Sequence, residues 1–155
     1  MNIHQLVYQS RALIYFDQED LADLLRKART YNSAHGITGL LLFTPDGRFM
    51  QVLEGDRDVV RAVYHRRIET DPRHADCHII SEAPCAERYF ADWHMAYRPA
   101  PATTLRTLLA PVPPPEAAAL RLPRPRPHAE MLALLVDFVA SCAPVVELEA
   151  LVVAE

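Results

Sequence analysis

Between residues 3 and 98 the chain changes hydrophobic period repeatedly, from two to between three and four and back, and those changes mark out its elements. Residues 3–10 alternate, with Leu6, Tyr8 and Ser10 on one face and Ile3, Gln5 and Val7 on the other, which predicts a strand. Asp17 and Asp20 form an N-terminal helix signal, and Leu21, Leu24, Leu25 and Ala28 follow at helical spacing. Gly36 stops that helix. At about 100° per residue, Asn32 returns to the stripe that Leu21 began, so it points inward at the helix end.

Residues 37–44 predict a second strand, apolar on both faces at Leu40, Leu41, Leu42 and Phe43. Pro45-Asp46-Gly47 is a tight-turn signal, and an alternating strand through Gly55 completes an antiparallel hairpin. On that strand Gln51 shares a face with Phe49 and Leu53. Asp56 caps a second helix whose stripe is Val60, Val63 and Tyr64, continuing to Arg67 and Asp71. Opposite charges four apart on this stripe predict an inward ion pair or a ligand contact. Residues 77–83 predict a fourth strand and 87–92 a short helical turn or loop. Residues 93–97 predict a last strand with Trp93, Met95 and Tyr97 on one face.

The order β-α-β-β-α-β-β is an α+β, ferredoxin-like sandwich with one added strand and two helices on one sheet face. The other face carries Met50 and Val52 and needs a cover, because large exposed apolar patches mark interfaces. The chain divides near residue 98: ten of its 13 prolines lie from Pro99 onward. This splits it into a domain of residues 1–98 and a proline-rich connection with a helical extension, 99–155. Within the extension, residues 104–110 and 128–141 predict helices. The second is apolar nearly all round (Met131, Leu132, Leu134, Leu135, Val136, Phe138, Val139), which predicts burial against the sheet, another chain, or both. A self-associating chain is therefore expected.

Composition narrows the class. A chain of 155 residues, 50% hydrophobic and 23% charged, is globular and long enough for a core without disulfides or metal. A net charge of −4 argues against nucleic acid as a partner. Arg121, Arg124 and Arg126, interrupted by prolines, read as a solvated linker. Cys77, Cys85 and Cys142 are odd in number and widely spaced, so neither a disulfide framework nor zinc is indicated. The N-terminus lacks the pattern of a signal peptide. The apolar stretch 131–153 is broken by Asp137, Pro144, Glu147 and Glu149, a poor membrane span. A cytoplasmic protein is expected.

Polar residues on apolar faces are the candidate chemistry. An unpartnered buried amide costs about 1–3 kcal/mol. Gln51, Tyr8 and Asn32 all point into the layer between sheet and helices, and one polar ligand there satisfies all three. Taken singly, each also reads as a satisfied core or helix-end residue, as Trp93 and Met95 read as packing and Arg67 with Asp71 as a helix-end pair. His74, Cys77 and His78 lack the geometry of a metal site. No paired carboxylates or Ser-His-Asp set marks an enzyme.

Five segments carry a resemblance: Leu6-Val7-Tyr8-Gln9-Ser10-Arg11, Asn32-Ser33-Ala34-His35-Gly36-Ile37-Thr38-Gly39, Phe49-Met50-Gln51-Val52-Leu53-Glu54-Gly55, Asp71-Pro72-Arg73-His74 and Phe90-Ala91-Asp92-Trp93-His94-Met95. In this order and spacing they resemble a BLUF domain, a blue-light sensor using FAD, over residues 1 to about 98. The resemblance implies a non-covalent flavin between the sheet and its two helices. It implies that Tyr8 is the redox tyrosine, that Gln51 changes hydrogen bonds in the light, and that Asn32 holds the C4 carbonyl and N3 edge. It implies that Trp93 and Met95 move or relay, and that Arg67, Asp71, Arg73 and His74 contact the ring's pyrimidine end or the adjacent cofactor chain. Tyr31 departs from the His or Asn that many members carry before the asparagine. The cofactor implied is FAD; with no GxGxxG motif or P-loop, phosphate would be held by side chains, which leaves FMN or riboflavin possible in its place. The reading is a short, stand-alone photoreceptor, not an enzyme, that signals to a separate protein. The alternatives are a small flavin-dependent redox enzyme and a light-independent ferredoxin-like dimerisation module.

Overall fold

The computed structural model describes residues 3–112 and 126–141. Arg121, Arg124 and Cys142 lie outside the described residues. The chain runs β1 (Ile3–Ala12), α1 (Gln18–His35), β2 (Thr38–Phe43), β3 (Arg48–Gly55), α2 (Arg57–Val63, continued by a π-helical turn Tyr64–Ile68), β4 (His74–Cys85), β5 (Ala96–Pro99), α3 (Ala102–Leu109) and α4 (His128–Ser141). The five strands lie in the order β4-β1-β3-β2-β5. Every pairing is antiparallel except β2 with β5, which is parallel. This is the ferredoxin-like α+β sandwich with its added strand beside β2.

Local chemistry accounts for most boundaries. The Asp17 carboxylate accepts from the Asp20 amide while Asp20 accepts from the Asp17 amide, a capping box that starts α1. Gly36 ends α1 in the left-handed region at φ 67°, where a side chain is disfavoured. Asp56 accepts from the amides of Asp58 and Val59 and starts α2. Gly39 is needed for another reason: a Cβ there would sit 1.9 Å from the Val52 carbonyl oxygen.

Two predicted elements need correction. α2 does not run on helically to Asp71. Its last turn widens, the Glu69 amide donating to the Tyr64 carbonyl, and the chain leaves the helix. Asp71 therefore bonds Arg73 rather than Arg67. The last strand begins at Ala96, so Trp93 and Met95 precede it. Side-chain bonds to this stretch hold its carbonyls: Asn32 Nδ2 donates to the His94 oxygen and Arg29 Nε to that of Met95. β4 is longer than predicted at both ends, and residues 87–92 form bends and turns without a helix.

α1 and α2 cover the sheet face that carries Leu6, Tyr8, Phe49, Gln51 and Leu53. α3 and α4 serve the other. Leu105, Leu108, Met131, Leu132 and Leu135 are buried, as are Met50 and Val52 on that face. Val136 of α4 remains 37% exposed, so this helix, apolar nearly all round, is covered on one side. Among the described residues no helix is long and apolar enough to cross a membrane. Residue 98 falls within β5, and the Ala100 amide still bonds the Phe43 carbonyl, so the sheet closes just past that point.

Candidate functional site

A cavity of about 390 Å³ opens between the sheet and the helices α1 and α2. β1 and β3 pair so that Tyr8 lies directly opposite Gln51, and β2 sets Leu41 on the other side of Gln51. All three side chains line the cavity, with Phe49 and Leu53 beside them. Leu25 and Asn32 come from α1, Val63 and Ile68 from the end of α2. The lining mixes apolar side chains with amides, phenols and charged groups, the arrangement of a pre-formed small-molecule site.

Three of the lining residues form a chain of hydrogen bonds. Tyr8 Oη donates to Gln51 Oε1 at 2.5 Å, and Gln51 Nε2 donates to Met95 Sδ at 3.2 Å. Burial pushes the Tyr8 phenol far above its ordinary value, with smaller contributions from Cys77, Tyr64 and Asp71. The phenol proton therefore stays on oxygen unless the ring loses an electron. The Tyr64 ring lies 5.3 Å from that of Tyr8 and tilted to it, brought there by the π-helical turn.

Asn32 serves two ends at once. Its carbonyl accepts the Gly36 and Ile37 amides and closes α1, while its side chain reaches the His94 carbonyl at 2.7 Å. The cations Lys27, Arg66, Arg67 and Arg73 also line the cavity. Arg67 packs its guanidinium 4.1 Å from the centre of the Tyr31 ring, and Tyr31 stacks on His35 at 3.9 Å. Arg73 is held by Asp71, whose carboxyl is lowered by that hydrogen bond. His74 forms part of the wall with both ring nitrogens engaged, one with Ser10 Oγ at 2.8 Å and one with the Ile68 carbonyl at 2.5 Å.

Tyr8, Asn32, Gln51, Met95, Arg67, Asp71, Arg73 and His74 thus meet around one cavity. Trp93 does not line it; its ring stacks with Phe90, centroids 6.1 Å apart, and its carbonyl accepts the Gly39 amide. The hydrophobic pattern does not single out Arg29, Tyr64, Lys27 or Arg66. Tyr64 sits on the predicted stripe beside the charges that drew notice, and the rest look like solvated helix surface.

A five-stranded α+β sheet with two helices on one face and, between them, a cavity lined by Tyr8, Gln51 and Asn32 defines the class of domain. The chain belongs to the BLUF family, "Sensors of blue-light using FAD", whose family model matches residues 3–96. It is 31% identical over 96 residues to photoactivated adenylate cyclase subunit beta of Euglena gracilis, a match that covers 61% of this chain. The chain spans only about a tenth of the length of such relatives, 11% of that one. The dark-state structure of the BLUF protein BlrB is 30% identical, with a TM-score of 0.64, over 90% of this chain and 96% of BlrB. BlrP1 of Klebsiella pneumoniae with FMN and cyclic diGMP is 29% identical, with a TM-score of 0.61, over 92% of this chain and 37% of that one.

Proposed function

We propose that this chain binds a flavin in the cavity between the sheet and α1 and α2, and that blue light rearranges the hydrogen bonds of Gln51. The observation that carries the reading is the hydrogen-bonded chain Tyr8–Gln51–Met95 in the wall of the cavity. The residues fit the group. The cavity, about 390 Å³, has room for a ring system, and the amides of Asn32 and Gln51 offer donors and acceptors of the kind that a flavin's C4 carbonyl, N3 and N5 require. Lys27, Arg66, Arg67 and Arg73 provide positive charge for phosphate without a dedicated loop, so FAD and FMN both fit.

When bound, the flavin supplies a blue-absorbing chromophore whose excited state is a strong one-electron oxidant. The protein's part is to hold and move one proton. With a flavin bound, Tyr8 would pass an electron to it, and the phenol, then strongly acidic, would release its proton along the hydrogen bond to Gln51 Oε1. When the electron returns, the proton returns with it. That excursion would let the Gln51 amide rotate, which conserves its protons and would take Nε2 off Met95 Sδ. Each exchanged hydrogen bond is worth about 1 kcal/mol, enough to hold a new arrangement and shift an absorption band.

The output passes to a separate protein through the helical extension, and Val136 on α4 offers apolar surface for that partner or for a second copy of the chain. The protein works in the cytoplasm, where the free thiols of Cys77 and Cys85 stay reduced.

The test is the absorption spectrum of the purified chain in the dark and under blue light. The expected result is a yellow protein with a small red shift that reverses in the dark. A flavin bleached by a reductant with turnover of a substrate would indicate a redox enzyme, and a colourless protein a dimerisation module.

A further inference from the structure

On the sheet face away from the cavity lies a fully buried carboxylate that the photochemistry leaves unused. Glu54 Oε1 accepts from Thr38 Oγ1 at 3.0 Å and from the Phe90 amide at 2.8 Å. Its Oε2 accepts from Gln5 Nε2 at 2.9 Å and from the Tyr89 amide at 2.6 Å. Two of the four donors are the main chain of the loop that, a few residues on, delivers Met95 to the cavity. Arg88 secures the start of that loop, reaching Thr38 Oγ1, the Glu54 carbonyl and the Gly36 carbonyl. The loop is thus tied at one end to Gln51 through Met95 and at the other to Glu54, on opposite faces of the sheet.

The second tie continues. The Gln5 amide is fixed in direction, because its nitrogen serves Glu54 while its oxygen accepts from Cys85 Sγ at 2.5 Å and faces His128 Nε2 at 3.3 Å. His128 is the first residue of α4, and its Nδ1 lies 2.8 Å from Ser81 Oγ. A proton on Nε2 lets Ser81 donate to Nδ1 and His128 donate to Gln5, satisfying both contacts at once. An unbroken line of oriented polar groups therefore runs from the Met95 loop to the start of α4.

We propose that Glu54 is a positioning residue that latches the Met95 loop in the dark, and that Gln5 and His128 transmit its release to α4. The proposal rests on the flavin reading above. When Gln51 Nε2 leaves Met95 Sδ, the loop shifts and withdraws the Tyr89 and Phe90 amides from Glu54. Gln5 then becomes the main donor to Glu54 Oε2 and draws away from His128, which frees the first turn of α4. A carboxylate suits the latch because it accepts at both oxygens, so all four donors are satisfied without competition.

The test is residue-resolved hydrogen exchange on the flavin-loaded full chain, dark and illuminated, with the absorption shift recorded on the same samples. The Tyr89 and Phe90 amides are expected to exchange about tenfold faster in the light, and the α4 amides to change with them. A normal absorption shift with equal exchange at Tyr89 and Phe90 overturns the latch while leaving the flavin reading intact. Absence of any shift rejects that reading, and the latch falls with it. Glu54→Gln keeps the shape but sets an amide N–H against Phe90 or Tyr89; it is expected to retain the absorption shift and to lose the light–dark difference in α4. Gln5→Leu breaks the line one bond later and serves also if Glu54→Gln does not fold. It is expected to preserve the response of Tyr89 and Phe90 and silence that of α4. An α4 response equal to that of the unsubstituted chain, in either variant, overturns the route.

Discussion

A buried phenol with one acceptor for its proton is a narrow arrangement, and the proposed mechanism rests on the pair Tyr8 and Gln51 that forms it. Tyr8→Phe removes the proton and makes the ring far harder to oxidise. The expected result is a yellow protein with almost no long-lived photoproduct and longer-lived flavin fluorescence, checked by time-resolved emission. Gln51→Leu keeps the volume and deletes the amide; flavin should stay bound while the reversible red shift disappears from the difference spectrum. Tyr8, Gln51 and Asn32 were legible in the sequence because each is a polar residue on an apolar stripe. Glu54 and Gln5 meet the same criterion on the opposite face, which the pattern marked only as needing a cover. Trp93 was misplaced because alternation cannot distinguish a strand from a loop whose carbonyls are captured by Asn32 and Arg29.

Among the elements, α1 and the turn after α2 do the most to shape the cavity. The side chain of Asn32 joins α1 to the Met95 loop, so Asn32→Ala should act twice, removing a partner for the ligand and loosening the loop. Losing one buried amide contact costs about 1–3 kcal/mol, which predicts roughly a tenfold or greater loss of flavin affinity, measurable by titration. Gly39→Ala should do harm by another route. Its methyl would meet the Val52 carbonyl, so β2 and β3 must part, and overpacking of this kind costs about 1–3 kcal/mol or more, read as a lower thermal midpoint. Strand and helix order, both caps and the hairpin turn were legible from local signals. The widened turn at Tyr64–Ile68 was not, because a π-helical hydrogen bond leaves no mark on a stripe drawn at a fixed angle per residue.

For the molecule as a whole, the extension matters as a cover. Removing everything after Ala100 should leave the cavity and its chemistry in place but bare the face that carries Met50 and Val52. The shortened chain is expected to self-associate in sedimentation experiments. The docking of α4 should also depend on pH. Burial lowers the His128 imidazole, His4 lowers it further, and Glu82 opposes them; Ser81 and Gln5 are its neutral neighbours. A base depressed in the folded state contributes stability above its unfolded value, and that stability is lost as pH falls. α4 amides should therefore lose protection below about pH 6.5, ahead of the sheet, and His128→Gln should flatten that dependence.

The parallel pairing of β2 with β5 has a consequence in time. β1, β3 and β2 are joined through a hairpin and antiparallel contacts, whereas β5 can find its place only after two further elements and a long loop have been ordered. Closing so distant a contact is entropically costly and is rewarded late. The segment that brings Met95 to Gln51 is therefore expected to be ordered late, together with the still longer-range pairing of β1 with β4. In a newly made chain the β2–β3 hairpin should form ahead of this contact, so the chain Tyr8–Gln51–Met95 is expected to be among the last features completed.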